Sequence, residues 1–280
     1  MPTCGEGFVA TAIAPDRVAS QLRELGVRPG GVLLVHTSYR AVGPVEGGAL
    51  GLIDALRAAL GPEGTLVMPS WGGRDTVPFD PARSPPSADL GILPRLFWRM
   101  PETLRSDHVH AFAAAGPRAG EVLRDTLPLP PHRPESPVGR VRDLDGQVLL
   151  LGVNHDADTT IHLAEVTAGV RYGRMKYVTV LEEGRMKRID YLENDHCCER
   201  FVLVDGWLRE AEVQREGPVG YGVGRLARAR DIVDEVVDRL RSDPLVFLHT
   251  TDVGCVQCDE ARSAMGDPRR EEPPVQGRRL

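Results

Sequence analysis

Three short apolar runs, each bounded by turn residues, limit most strongly what this chain can fold into. They are VLLVH at 32–36, TLVMPS at 65–70 and QVLLLG at 147–152. Such runs predict strands that are buried on both faces. Apolar residues recur at helical spacing after Asp16 and again from about Ala49 to Leu60. Helices and strands that alternate with short turns predict an α/β fold, with a central mixed, partly parallel sheet flanked by helices.

The segments between these elements are less regular. Residues 71–89 contain four prolines and no period, which predicts a functional loop. LPLPPHRPESP, at 127–137, is typical of extended polyproline-type surface chain. Residues 175–192 alternate as a hairpin with EEG as its turn. LVFLH, at 245–249, predicts one more short strand.

We expect a single domain over residues 1–280, with its core at about 16–265. The tail after Asp267 is rich in Arg, Glu and Pro, so we expect it to contribute little to the fold. The N-terminus lacks a basic segment followed by an apolar one, and no apolar run has the length of a membrane span. These features predict a cytoplasmic protein.

The formal net charge of −6 and the sequence pI near 5.8 argue against nucleic acid as the main partner and suit a cationic ligand. The chain has five cysteines and only two lysines, Lys176 and Lys187. In a reducing compartment the cysteines are expected to be thiols or metal ligands rather than disulfides.

The stretch NHDADTTIHLAE, residues 154–165, places several ionisable side chains where the third apolar run ends. Thr159 fits the N-cap of the helix that follows, so His162 lies in its first turn, at the sheet edge where ligands bind. The helix N-terminus disfavours the imidazolium, which predicts a neutral ring that can serve as a general base. The alternative is that His162 and Glu165 are surface residues of a capped helix.

A second stretch, DYLENDHCCERF at 190–201, also follows a strand and precedes a helix pattern, with Asp195 as the expected cap. A carboxylate bonded to an imidazole nitrogen fixes its tautomer and raises its basicity, and another carboxylate can hold an ammonium group. Glu193 and Asp195 are candidates for both tasks. The two stretches together predict a site made of a base and carboxylates.

Seven segments together carry a resemblance to a known family. They are LLVHTSYRAVGPVEGG, GPEGTLVMPSW, FDPARSP, RSDHVHAFAAAGP, SPVGRV, LLLGVNHDADTTIHLAE and YLENDHCCERF. In order and spacing they resemble the aminoglycoside 3-N-acetyltransferases, especially the subgroup that acetylates apramycin as well as gentamicin-type drugs. The resemblance extends from about Asp16 to Met265. It implies the antibiotic N-acetyltransferase fold rather than the common GNAT fold.

The resemblance also implies a reaction and its residues. Acetyl-CoA would donate an acetyl group to the 3-amino group of a 2-deoxystreptamine aminoglycoside, giving antibiotic resistance. His162 would be the catalytic base, with Glu193 and Asp195 as its acidic partners. The residues expected to contact acetyl-CoA are Ser38, Tyr39, Arg40, Val42, Gly43 and Ser106. Those expected to contact the aminoglycoside are Asp75, Asp158 and Glu165.

The cysteines suggest a structural metal. GCVQC gives Cys255 and Cys258 at the spacing of a zinc half-site, and DHCCER offers Cys197 and Cys198, with His196 beside them. Four thiols in two pairs predict a structural zinc site that joins the C-terminal segment to the helix pattern near Asp195. The alternative is that the thiols are buried apolar residues.

Two other functions remain open at this stage. A zinc hydrolase could use His155, Asp158 and His162 as ligands. A non-enzymatic protein that sequesters aminoglycosides would need the acidic loop but not His162. Either a monomer or a homodimer is compatible with the sequence.

Overall fold

The centre of the structure is a seven-stranded mixed sheet in a computed structural model that describes residues 11–124 and 127–266. The described strands include those of this sheet and two that form a separate hairpin. They are β1 (Val32–Thr37), β2 (Thr65–Pro69), β3 (Leu104–Arg105), β4 (Phe112–Ala115), β5 (Gln147–Leu151), β6 (Arg174–Glu182), β7 (Arg185–Glu193), β8 (Arg215–Val219) and β9 (Gly222–Arg228). The α-helices are α1 (Pro15–Leu25), α2 (Tyr39–Val42), α3 (Gly48–Leu60), α4 (Ile92–Phe97), α5 (Ala119–Val122), α6 (Pro137–Asp143), α7 (Thr160–Ala168), α8 (Leu203–Glu210), α9 (Ala229–Ser242) and α10 (Val256–Ser263). Short 3₁₀ helices lie at Ala88–Leu90, His155–Ala157, Glu199–Val202, Thr251–Val253 and Ala264–Gly266.

The strand order across the sheet is β3-β4-β2-β1-β5-β9-β8. The central strand β1 runs parallel to β2 and to β5, whereas β3, β4, β8 and β9 pair in antiparallel fashion. Strands β6 and β7 form a separate hairpin. The prediction of a mixed, partly parallel sheet flanked by helices is therefore confirmed.

Helices cover both faces of the sheet, which explains why the parallel strands are apolar throughout. On β1, Leu33 and Val35 belong to the core beneath α1, α3 and α4, whereas Val32 and Leu34 belong to the core beneath α5 to α9. Successive side chains of a strand point to opposite faces, so a strand with a core on each side needs an apolar residue at every position.

Two glycines shape the ends of elements that lead to the site. Gly26 has φ +113°, and its N–H bonds the carbonyls of Leu22 and Arg23, which ends α1. Gly152 follows β5 with φ +70°, and a Cβ there would lie 2.6 Å from the Cβ of Ala41. The chain can therefore pass close to α2 and reach the cleft described below only with glycine at this position.

Several elements differ from the sequence predictions. Residues 245–249 form a turn and not a strand, although Phe247 and Leu248 are buried in the core. Strands β3, β4, β8 and β9 were not predicted. The N-terminal residues up to Ala10, which include Cys4, and the tail from Asp267 lie outside the described residues. Among the helices that are described, none is long and apolar enough to cross a membrane.

Candidate active site

A cleft of about 580 Å³ opens at the carboxyl ends of β2, β1 and β5. Its base is formed by residues 35–37 and by Pro69. Its walls come from the long loop after β2, from Val109 and His110, from His132, and from the segment between β5 and the first turn of α7. Ligands in α/β proteins bind at this edge of the parallel strands, so the cleft is the natural place for a reaction.

His162 and Glu165 form a hydrogen-bonded pair at the base of α7. They are three residues apart on one helix face, and His162 Nδ1 lies 2.7 Å from Glu165 Oε2. Glu165 is fully buried. Its other oxygen accepts a hydrogen bond from the Tyr172 hydroxyl at 2.5 Å and lies 2.9 Å from His196 Nε2. The carboxylate of Glu165 is thus held rigidly behind the His162 ring.

The hydrogen bonds also set the tautomers of both rings. The backbone N–H of Cys198 donates to His196 Nδ1 at 3.1 Å, so Nε2 of His196 carries its proton and donates to Glu165. His162 in turn donates from Nδ1 to Glu165. Its Nε2 is then left as the basic nitrogen, 3.7 Å from the sulfur of Cys198, and the ring lines the cleft.

The charges of this group differ from the sequence prediction. Burial alone would raise the pKa of Glu165, but hydrogen bonds from His162 and His196 lower it to about 2. Burial disfavours the imidazolium of His162, yet the Cys198 sulfur and the Glu165 carboxylate outweigh it and hold the pKa of His162 well above its ordinary value. This direction is opposite to the one expected from the helix N-terminus, because the Cys198 sulfur and the Glu165 carboxylate both lie beside the His162 ring.

Glu193 and Asp195 do not make the predicted hydrogen bond to His162. Asp195 pairs with Lys176 at 2.9 Å and with Arg174 at 3.2 Å. Glu193 lines the cleft, where burial and the nearby Asp195 raise its pKa. The carboxylate that is hydrogen-bonded directly to His162 is therefore Glu165, and not the predicted Glu193 or Asp195. Asp195 caps no helix either, because a 3₁₀ helix begins only at Glu199, after Cys198 at φ +60°.

Three further histidines line the cleft, and the sequence reasoning missed them. Burial lowers the pKa values of His36 and His132, and it lowers that of His110 to about 3, so all three rings are neutral near pH 7. His132 stacks on His162 with ring centroids 5.3 Å apart. It lies in the segment predicted as polyproline surface, but φ of +63° turns the chain inward there. No local feature of the sequence predicts this turn.

Of the residues predicted to contact the aminoglycoside, two line the cleft and one is fully buried. Asp75 lines the cleft, as does Asp158. Asp158 is nevertheless almost fully buried, and it bonds His155 at 3.2 Å and the backbone N–H of Thr160 at 2.9 Å. It thereby caps α7, the task expected of the Thr159 side chain. Glu165 has no exposed surface, so its assignment as a substrate contact was wrong.

The ligand set of a zinc hydrolase is not assembled. His155 directs Nδ1 toward Asp158 and Nε2 toward Gln214 Oε1 at 2.8 Å, so both its ring nitrogens are engaged. His162 is bonded instead to Glu165. Within residues 11–124 and 127–266, the histidines, cysteines and acids that converge closely enough to hold a metal lie elsewhere.

The predicted acetyl-CoA residues 38–43 comprise the short helix α2 and the residues on either side of it, between β1 and α3, at the same edge of the sheet as the cleft. Ser38 is held there by its N–H bond to the carbonyl of Leu151, and Arg40 is exposed. Val42 is fully buried in the core and offers no side-chain surface. Ser106 is also buried, and its hydroxyl bonds the N–H and carbonyl of Phe112, so its side chain shapes the turn before β4. Any contact of Val42 with acetyl-CoA would therefore be made by its backbone, and the Ser106 hydroxyl is already engaged by Phe112.

Two sets of contacts fix the long loop after β2: hydrogen bonds between its two ends, and hydrogen bonds from Arg105. Gly72 and Pro86 form a β-bridge, and Ser87 donates to the carbonyl of Trp71 at 2.8 Å. Arg105 lies on β3, and its guanidinium donates to the carbonyls of Ser70, Pro81 and Ser84 in the loop. It also lies 4.7 Å from the ring centroid of Phe79 and 4.6 Å from that of Trp98. The wall that carries Asp75 is thus fixed to the sheet.

A second cluster lies behind His196. Cys197, His249, Cys255 and Cys258 bring their ligand atoms within 4.8 Å of one another. The sulfur of Cys197 lies 3.6 Å from that of Cys258 and 3.4 Å from His249 Nδ1. The cluster contains three of the four predicted cysteines. The inclusion of Cys198 was wrong, because its sulfur faces His162, and His249 takes its place.

Known proteins share this sequence pattern and this fold. A model of the family described as aminoglycoside 3-N-acetyltransferase matches residues 34–241. The chain is 62% identical over 234 residues to aminoglycoside N(3)-acetyltransferase IV of Salmonella sp, an alignment that covers 84% of this chain and 90% of that protein. The chain therefore belongs to the aminoglycoside 3-N-acetyltransferase family and is an acyltransferase, as the resemblance implied.

Solved structures of aminoglycoside acetyltransferases have the same fold. A histidine-to-alanine mutant of the aminoglycoside acetyltransferase AAC(3)-IVa matches in its gentamicin complex with a TM-score of 0.90 at 57% identity, over 92% of this chain and 99% of that one. The apramycin complex matches with a TM-score of 0.83 at 55% identity, over 91% and 100%. AAC-IIIb in a binary complex with CoASH matches with a TM-score of 0.76 at 25% identity, over 83% and 97%.

Proposed function

We propose that this protein transfers an acetyl group from acetyl-CoA to the 3-amino group of 2-deoxystreptamine aminoglycosides, with apramycin and gentamicin-type drugs as substrates, and so gives resistance to them. The observation that carries the proposal is the buried Glu165–His162 pair, which presents a basic nitrogen at an acid-lined cleft. The similarity to proteins that bind gentamicin, apramycin and CoASH supports the choice of substrates.

The site suits amine acetylation for a chemical reason. An aminoglycoside amine is mostly protonated at neutral pH and becomes a nucleophile only after a base removes its proton. His162 Nε2 takes that proton, and Glu165 stabilises the imidazolium through Nδ1. The freed amine attacks the thioester carbon of acetyl-CoA, the C–S bond breaks, and the proton leaves with the CoA thiol. Asp75 and Glu193 attract the remaining ammonium groups of the drug.

A panel assay tests the substrate assignment. Purified protein, acetyl-CoA and each aminoglycoside are combined, the free CoA thiol is measured, and the acetylated nitrogen is located by NMR. Apramycin and gentamicin should release CoA and carry the acetyl group on the 3-amino nitrogen. Acetylation at another amine, or no CoA release with any aminoglycoside, would contradict the proposal.

The role of His162 is tested by His162→Ala. We expect turnover to fall by about 10² or more, the usual scale for a lost general base. Acetyl-CoA affinity, measured by calorimetry, should change little, because the base acts on the amine. If the folded mutant keeps near-normal turnover, the base lies elsewhere. If it still protects cells, the protein acts by sequestering the drug.

We also propose that Cys197, His249, Cys255 and Cys258 hold a structural zinc ion. Tetrahedral zinc with Zn–S bonds of about 2.3 Å separates its sulfur ligands by roughly 3.8 Å, close to the 3.6 Å between Cys197 and Cys258. Nε2 of His249 lies 3.7 Å from Glu199, a carboxylate of the kind that orients zinc-bound histidines. The ion would hold α10 against the segment that carries His196 and would take no part in acetyl transfer.

A further inference from the structure

Lys176 lies where a positively charged substrate would be expected to bind. Its Nζ is 2.9 Å from Asp195 Oδ2 and 4.0 Å from Glu193 Oε2. Glu193 lines the cleft beside His162. His110 is another cleft residue, and its pKa is lowered by burial, by His108 and by the positive charge of Lys176. The ammonium group of Lys176 thus lies next to the cleft, where it pairs with Asp195 and with the cleft residue Glu193.

The neighbouring arginine is placed differently. Arg174 also contacts Asp195, at 3.2 Å, but its Nε lies 3.0 Å from Glu260 on α10. A guanidinium held between two acids on separate segments acts as a structural bridge. Lys176 has no second anchor of this kind among the described residues, its side chain is 35% exposed, and its flexible stem can swing away.

We propose that Lys176 occupies, in the ligand-free protein, the position of a substrate ammonium group at Glu193 and Asp195, and that an aminoglycoside must displace it to bind. This inference rests on the proposed function. An ammonium group on a lysine and one on an amino sugar present the same charge and the same N–H donors to a carboxylate. Lys176 therefore sets how strongly a cation must bind, and it selects for polycations over monoamines.

The test is Lys176→Met, assayed with apramycin at pH 8 and low ionic strength. Removal of the competing cation should lower KM for apramycin about two- to fivefold, the scale of a partly exposed ion pair, and leave kcat unchanged. The difference in KM between Lys176→Met and the wild type should decrease as salt is added, because salt screens the charges. KM for acetyl-CoA should not change.

Two variants make the result specific. Lys187 is the other lysine of the chain, and it pairs with Glu182 at 2.6 Å on the same hairpin. Lys187→Met should leave KM for apramycin at the wild-type value, which separates the local effect from a loss of net charge. Lys176→Arg keeps a cation at the carboxylates, so its KM should stay close to that of wild type.

An unchanged or higher KM for apramycin in Lys176→Met would overturn the inference, because Lys176 would then only position the carboxylates. A higher KM for acetyl-CoA would also overturn it, since Lys176 would then serve the CoA phosphates. Both results require an active wild-type enzyme and leave the proposed function intact. A wild-type enzyme that acetylates no aminoglycoside would overturn the function and the inference together.

Discussion

The pair formed by His162 and Glu165 depends on a carboxylate that never meets solvent. Glu165 accepts hydrogen bonds from His162, His196 and Tyr172, which compensate its burial and keep it ionised. The fixed negative charge raises the pKa of His162. The proportion of His162 in its base form therefore increases as the pH rises.

A pH profile of Glu165→Gln tests this arrangement. In the wild type, kcat should increase with pH through a midpoint above the ordinary histidine pKa of about 6.5, because His162 must lose its proton before it can act. Glutamine removes the negative charge, so the pKa of His162 falls and the midpoint moves to lower pH. The plateau of kcat should drop by about 10² or more, because the imidazolium loses its partner.

Glu193→Gln serves as the control for that profile. Glu193 lines the cleft and interacts with His162 only through its charge, without a hydrogen bond, so this variant should raise KM for the aminoglycoside and move the midpoint of kcat much less than Glu165→Gln does. Equal midpoints for the wild type and Glu165→Gln would show that Glu165 does not control the base.

The location of His162 followed from sequence, whereas its partner did not. A polar stretch between a buried strand and a helix marks the binding edge of an α/β sheet, and this local pattern was sufficient. The pairing was wrong because the sequence stretch of Glu193 and Asp195 does not reveal that Lys176 and Arg174 engage Asp195. The i,i+3 spacing of His162 and Glu165 was the signal that could have identified the pair.

At the scale of whole elements, burial explains which strands could be predicted. Strands β1, β2 and β5 have cores on both faces, so their apolar runs are diagnostic. Strand β8, with the sequence REGPV, is an edge strand that exists because it pairs with β9, and pairing leaves no local pattern. Residues 245–249 show the reverse case, in which an apolar run is buried in a turn.

The long loop after β2 gives a prediction at this scale. Arg105 holds three loop carbonyls, and burial lowers its pKa to about 10. Arg105→Met keeps the apolar stem and removes the donors, so the wall with Asp75 should lose its fixed position. We expect KM for the aminoglycoside to rise about tenfold with a smaller change in kcat, measured by the CoA-release assay.

Arg99 offers a matched control for the loop. It is exposed, and its guanidinium lies 4.7 Å from the centroid of the same Trp98 ring. Arg99→Met removes a cation from that ring without removing a donor to the loop, so its KM should match the wild type. If both variants raise KM equally, the aromatic contact and not the loop carbonyls is responsible.

At the scale of the whole molecule, the cysteine cluster and the catalytic pair share one short segment. His196 bonds Glu165, Cys197 belongs to the cluster, and Cys198 faces His162. The C-terminal helix α10 brings Cys258 to the same place. A bound zinc ion would therefore stabilise the fold and, through His196, keep Glu165 in position.

Zinc content and thermal stability of Cys258→Ser test this coupling. Wild-type protein purified without a histidine tag should contain about one zinc ion per chain, and the variant should contain much less. Loss of a structural metal costs several kcal/mol, so Tm should fall by roughly 5–15 °C in a chain of this size. Cys198→Ser is the matched control, because its sulfur lies outside the cluster, and it should keep the full zinc content. Metal-free wild-type protein, or equal zinc loss in both variants, would show that the thiols are only buried side chains.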